Sequence, residues 1–206
     1  MPYPDRFYPV VDSVAWVARL ARLGVGTVQL RAKNLDEAAA LDMVRAALDV
    51  TRGTQARLVV NDHWRAAIDG GARHLHLGQE DLDTADVPAI RRAGLTLGIS
   101  THDENELDNA LAYAPDYVAL GPIYETTLKK MRFAPQGIDR ITAWKSMIGD
   151  IPLVAIGGIR LEQAELIFAA GADSIAVVSD VTQNPDPDAR VKAWLESFPE
   201  NPIQSV

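Results

Sequence analysis

Two textures alternate along the chain. Short β-branched runs are each followed by a stretch with apolar residues at helical spacing. Eight runs read as strands, over 7–11, 27–31, 57–61, 74–78, 96–100, 117–123, 152–157 and 174–179. Several of them (RLVVN, YVALG, PLVAIG, SIAVVS) are apolar on both faces. Parallel strands covered by helices have that pattern. Helices are predicted over 13–23, 35–51, 63–70, 84–93, 103–113, 137–148, 161–170 and 188–197. Asp103, Glu104 and Glu106 put acid in a first turn, where the helix dipole favours it. Gly24, Gly71, Gly94 and Gly171 follow helical runs, where the chain needs a positive φ.

Eight βα units predict a single-domain (β/α)8 TIM barrel over 1–198, with a loose tail over 199–206. The competing architecture is a doubly wound open sheet. Both put a ligand at the carboxyl ends of the strands, so the residues there decide function.

Composition narrows the classes. A chain of 206 residues that is 48% hydrophobic carries enough apolar material for one sizeable core. The net charge of −8 argues against a dedicated nucleic-acid binder. It leaves room for a local basic pocket and an anionic small substrate. With no cysteine, disulfides, thiolate metal sites and Cys nucleophiles are excluded. No apolar run approaches the ~18 residues of a membrane span, and MPYPDRFYPVV lacks the pattern of a signal peptide. The expectation is a cytoplasmic protein with no membrane or nucleic-acid partner and an oligomeric state left open.

The second strand ends in Gln29, Leu30, Arg31, Ala32 and Lys33. Period-two alternation puts Gln29, Arg31 and Lys33 on one face, pointing into the barrel mouth if Val28 and Leu30 meet the helices. An inward Arg is costly unless paired or ligated, so the segment reads as an anion clamp, or else as a structural ion pair. Strand three ends in Asn61 and Asp62, and strand four runs into Gly78-Gln79-Glu80-Asp81. Asp62 and Asp81 beside Arg31 and Lys33 suggest Mg²⁺ with a pyrophosphate, since Mg²⁺ takes one or two carboxylates and substrate phosphate oxygens. The alternative for either Asp is a helix N-cap. His74 and His76 alternate on strand four. Without a third ligand they read as hydrogen-bonded structural histidines rather than a transition-metal pair. Ser100 offers a hydroxyl at the end of strand five, with no Gly-x-Ser-x-Gly elbow to make it a nucleophile. A long loop follows strand six, Gly157-Gly158 ends strand seven, and Val178-Ser179 ends strand eight, where such barrels often bind phosphate. Two anion sites favour a transferase joining two phosphorylated substrates.

The chain resembles the thiamine-phosphate synthase family. The resemblance rests on YPVVDS (8–13), QLRAK (29–33), ND (61–62), HLGQED (76–81), GIS-x-H (98–102), GPIYETTLK (121–129), APQG (134–137), VAIGGI (154–159) and IAVVS (175–179), in order along nearly the whole length. It implies condensation of 4-amino-2-methyl-5-hydroxymethylpyrimidine diphosphate with 4-methyl-5-(2-phosphoethyl)thiazole to give thiamine phosphate and pyrophosphate. It also implies that pyrophosphate leaves before the thiazole nitrogen attacks. By position, Gln29, Leu30, Arg31, Ala32, Lys33, Asn61 and Lys129 would hold the pyrimidine diphosphate, and Ser100 its ring. Thr126, Thr127, Leu128, Gly158, Val178 and Ser179 would line the thiazole phosphate site. Asp62 and Asp81 would ligate Mg²⁺. Arg31, Lys33, Ser100 and Lys129 would carry the catalysis, which asks for leaving-group stabilisation and not for a protein nucleophile.

Two positions depart from the family loop, which usually reads G-P-[IV]-[FY]-P-T-x-T-K. Glu125 replaces the Pro and Leu128 the second Thr. A lost hydroxyl bond to phosphate would cost about 1.5–3 kcal/mol unless Thr127 supplies it. Other readings on the same barrel are a thiazole tautomerase-like isomerase, a non-catalytic thiamine-pathway binding protein and a phosphosugar-handling enzyme. The retained Arg31, Lys33, Asp62 and Asp81 argue against the isomerase.

Overall fold

The computed structural model describes residues 3–125 and 134–199. In chain order the elements are β1 (Phe7–Val11), α1 (Val14–Arg22), β2 (Thr27–Leu30), α2 (Glu37–Thr51), β3 (Arg57–Asn61), α3 (Trp64–Gly70), β4 (His74–Leu77), α4 (Gln79–Leu82) and α5 (Val87–Arg92). They continue with β5 (Thr96–Thr101), α6 (Glu104–Ala112), β6 (Tyr117–Leu120), α7 (Gly137–Ile148), β7 (Leu153–Ile156), α8 (Ala164–Ala169), β8 (Ser174–Val177), α9 (Ser179–Thr182) and α10 (Pro187–Ser197). The strands pair in sequence order, all parallel, and β1 closes on β8 with Phe7 opposite Ile175. The closed barrel removes the open-sheet alternative.

Side-chain alternation sorts the apolar residues into two layers. Val28, Leu30, Leu58, Val60, Leu75, Leu77, Leu97 and Ile99 face outward into the core shared with the helices. Each large side chain so buried stabilises the fold by about 1.5–3 kcal/mol. Tyr8, Val10, Val59, Tyr117, Ala119, Val154 and Ala176 fill the barrel interior. The amino-terminal end is closed by Asp5, which pairs with Arg57 and accepts from Thr27 Oγ1 at 2.8 Å.

Several element ends differ from the sequence pattern, each for a local reason. β6 stops at Leu120 and not at 123, because Pro122 has no N–H to give a ladder. The helix expected from 84 begins at Val87, where Asp86 accepts from Ala89 N at 2.8 Å and Pro88 occupies the first turn. Two short helices that the sequence pattern does not predict follow β4 and β8: α4 begins directly after Gly78, and α9 takes Ser179 from the expected strand end. Among the described residues no helix is long and apolar enough to cross a membrane.

Candidate active site

The carboxyl ends of β2, β3 and β4 bring together the groups the sequence singles out. Arg31 follows β2 directly, and its N–H donates to Val11 O at 2.8 Å, so the backbone still tracks β1 as it leaves the sheet. Gln29 points inward and is buried, with Nε2 donating to Tyr8 Oη at 2.7 Å. Leu30 faces the outer core, so only its main chain is available to a ligand. Ala32 O pairs with His63 Nε2 at 2.9 Å, which ties the β2–α2 loop to the β3–α3 loop. Lys33 is exposed.

Asp62 sits one residue past β3 at φ 61°, a left-handed conformation that Asp tolerates better than most residues. Its N–H donates to His76 O at 3.0 Å. Asp62 is not the cap of α3; that position belongs to His63, with no side-chain cap bond. Asp81 lies in the first turn of α4, where its carboxylate accepts from Gly78 N at 3.3 Å. Burial, the charge of Asp81 and a hydrogen bond shared with it push the Asp62 carboxyl above the usual carboxylate range. The charges of Arg31 and Lys33 pull it back. Two carboxylates that repel beside two cations are poised for a divalent cation and an anion together. A cleft of about 190 Å³ runs beside them, lined by Glu37, Asp62, His63, Arg65, Asp81 and Thr84 among others. A larger groove of about 320 Å³, lined by Arg45, Asp49, Arg52 and Gly70, lies over the C-terminal ends of α2 and α3, which lead into the amino-terminal ends of β3 and β4 and not to the carboxyl-terminal mouth.

Asn61 is buried, and its Nδ2 has no hydrogen-bond partner among the described residues. An unpaired buried amide costs about 1–3 kcal/mol. At a strand end it is a donor that a ligand acceptor could satisfy. Among the described residues no three carboxylate, His or Cys side chains gather into a closed metal cage. A pair of carboxylates fits Mg²⁺ completed by substrate oxygens and water, so the residues present suit that ion.

His74 and His76 serve hydrogen bonding inside the barrel. His74 Nδ1 meets Thr96 Oγ1 at 2.8 Å, and its ring stacks on Tyr3 at 4.5 Å. His76 Nε2 meets Ser100 Oγ at 2.7 Å and its Nδ1 meets Tyr117 Oη at 2.8 Å. Burial holds both imidazoles down to a pKa of about 4, helped by Arg57 for His74 and by Arg31 for His76. Ser100 is held by its backbone as well, because Gln79 Nε2 donates to its carbonyl at 2.8 Å.

On the other side of the mouth, Gly157 and Gly158 adopt positive φ of 102° and 69°. A Cβ on Gly158 would overlap Glu125 O, so the glycine pair lets the start of the β6–α7 loop dock on β7. Tyr124 N donates to Gly157 O at 3.0 Å, and Gln136 N to Pro122 O at 2.8 Å, pinning both ends of the loop. Glu125 itself is exposed. Val178 packs on the inner cluster, and Ser179 opens α9. Thr126, Thr127, Leu128 and Lys129 lie outside the described residues. His63 follows a strand end, a place from which the sequence lets it line the mouth with no role assigned, while Tyr8 and Tyr117 carry much of the site's geometry and are unmarked in the sequence pattern. Only the inward phase of Tyr8 on β1 hints at it.

A closed parallel barrel with these strand ends is the framework of an enzyme that works at its carboxyl-terminal mouth. A family profile described as thiamine monophosphate synthase matches residues 7–181. The chain is 55% identical over 191 residues to the thiamine-phosphate synthase of Rhizobium etli, spanning 93% of this chain and 94% of that protein. It is 52% identical over 197 residues to the thiamine-phosphate synthase of Cronobacter sakazakii, spanning 95% and 94%. The thiamine phosphate pyrophosphorylase of Pyrococcus furiosus shares the fold, with a TM-score of 0.81 at 24% identity over 93% of this chain and 94% of that one. The chain belongs to the thiamine monophosphate synthase family, and it is an enzyme of that family.

Proposed function

We propose that the enzyme condenses 4-amino-2-methyl-5-hydroxymethylpyrimidine diphosphate with 4-methyl-5-(2-phosphoethyl)thiazole, forming thiamine phosphate and pyrophosphate. The observation that carries this reading is the meeting of Asp62 and Asp81 with Arg31 and Lys33 at one strand-end cluster. Asp62 and Asp81 would hold Mg²⁺, which neutralises charge on the diphosphate when bound. Arg31 and Lys33 face the same anion, Arg as a planar fork and Lys as a point charge. Lys129 is proposed to join them. Asn61 Nδ2 donates to the same substrate, which removes its desolvation cost.

In the reaction the bond from the pyrimidine methylene carbon to the diphosphate oxygen breaks, and its electron pair leaves with pyrophosphate. The aminopyrimidine ring spreads the resulting positive charge. The thiazole nitrogen lone pair then forms the new carbon–nitrogen bond. The protein's contribution is to stabilise a leaving anion and to hold two rings face to face, as expected of a site without a base-activated nucleophile. The thiazole phosphate is assigned to Gly158, Val178 and Ser179, with Thr126, Thr127 and Leu128 from the loop.

Mass spectrometry of reactions with both substrates, with Mg²⁺ or with EDTA, tests this. Thiamine phosphate and pyrophosphate in equal amounts, formed only with Mg²⁺, is the expected result. Folded protein that makes no product would reject the reading.

A further inference from the structure

A continuous line of hydrogen bonds crosses the closed barrel beneath the mouth. It runs from Gln29 Nε2 to Tyr8 Oη at 2.7 Å, to Tyr117 Oη at 2.9 Å, to His76 Nδ1 at 2.8 Å, and from His76 Nε2 to Ser100 Oγ at 2.7 Å. Five strands contribute one residue each: β2, β1, β6, β4 and β5. The first four members are buried, and Ser100 is half-buried at the open end. The line is built deliberately into the packing. A Cβ on Gly98 would overlap the Tyr117 ring, so β5 gives up a side chain to let that phenol lie across the barrel.

The chemistry of one end sets the direction of every bond. The Gln29 amide nitrogen only donates, so the Tyr8 oxygen accepts there. The described partners of Tyr8 Oη are Gln29 and Tyr117, so its own proton goes to Tyr117. Tyr117 in turn gives its proton to His76 Nδ1. A neutral imidazole has one proton, and Nδ1 is now an acceptor, so the proton sits on Nε2 and is donated to Ser100 Oγ. Ser100 accepts from inside the barrel and keeps its hydroxyl proton for the mouth.

We propose that Tyr8 and Tyr117 are positioning residues that fix the His76 tautomer and so make the Ser100 hydroxyl a hydrogen-bond donor to a lone-pair atom of the substrate heterocycle. On the proposed reaction, on which the identity of that ligand rests, the acceptor is a ring nitrogen of the aminopyrimidine and not its amino group. With the opposite tautomer, Ser100 would donate inward and present only lone pairs. A ring nitrogen would then meet an acceptor, and an unpaired buried acceptor is the costly outcome.

Long-range ¹H–¹⁵N correlation spectra of the ligand-free, full-length ¹⁵N-labelled chain read the tautomer directly, with His76 identified by its absence in His76→Gln. The expected wild-type form is a single Nε2–H tautomer. In Tyr117→Phe, Nδ1 loses its donor, and a mixture of tautomers should appear with kcat/KM about tenfold lower. If Tyr117→Phe does not fold, Tyr8→Phe removes the proton that biases Tyr117 and must raise the Nδ1–H fraction in the same way. A wild-type Nδ1–H form, an unmoved tautomer in the variant that folds, or mixed tautomers with unchanged kcat/KM would each overturn the proposal. Because the tautomer is read without substrate, its failure is separate from a failure of the synthase reading.

Discussion

Gly98 on β5 and Tyr117 on β6 share one volume inside the barrel: the space a Cβ would take at 98 is filled by the Tyr117 ring. Tyr117 can therefore reach both Tyr8 and His76. Gly98→Ala should force the ring aside, with an overpacking cost of about 2–3 kcal/mol. The expected result is a lower urea midpoint together with lost turnover. An unchanged midpoint would mean that the ring has room to move.

Asp62 carries a charge that the folded chain, without metal, would rather not hold. Its carboxyl is raised in the folded state, so the group opposes folding above the window set by its unfolded and folded pKa values, and the penalty fades as pH falls through that window. Asp62→Asn removes the repulsion with Asp81 and keeps a residue type at home at positive φ. The variant should be about 1–2 kcal/mol more stable near neutral pH and inactive with Mg²⁺. Thermal melts in EDTA and turnover assays check the two halves. Retained Mg²⁺-dependent turnover in both Asp62→Asn and Asp81→Asn would remove the metal assignment.

Acid should unfold the barrel through its histidines. His74 and His76 titrate near 6.5 in an unfolded chain and at about 4 here. Between those values the unfolded state binds protons that the folded state refuses, so stability rises with pH across the window. It is fully present above about 6.5 and is lost as pH falls toward about 4. Each pKa unit is about 1.4 kcal/mol, so His76 alone accounts for roughly 3 kcal/mol at the acid end. The relief of Asp62 runs the other way in the same window, and two imidazoles outweigh one carboxyl, so urea midpoints measured from about pH 7 to about pH 4.5 should show a net fall, clearest in Asp62→Asn, where a flat profile would contradict the burial of neutral imidazoles.

The loop substitution is testable from the sequence. Leu128 stands where the family pattern has a threonine hydroxyl, and a hydrogen bond to phosphate is worth about 1.5–3 kcal/mol. Leu128→Thr should lower KM for the thiazole phosphate by about tenfold or more with little change in the pyrimidine diphosphate KM. An unchanged thiazole KM would assign that job to Thr127 or to the backbone.

The layers of this barrel are written in short-range order. Runs such as RLVV and SIAV, covered on both faces and separated by helical spacing, announce parallel strands because alternation and helical period act within a few residues. The basic pair Arg31 and Lys33 and the acids at 62 and 81 are legible for the same reason, as charged residues placed where strands end. The short helices α4 (QEDL) and α9 (SDVT) are not, because four mostly polar residues are too few to show a helical period. Closure decided the rest. Tyr8 and Tyr117 lie 109 residues apart, and their contact exists only once β1 has closed on β8 and the registers are set. The pairing of neighbouring strands, β2 with β3 and β4 with β5, seats His63 on Ala32 O and sets His76 beside Ser100. Alternation is a property of neighbours along the chain, whereas a hydrogen bond across a barrel depends on stagger and tilt summed over every strand between its partners.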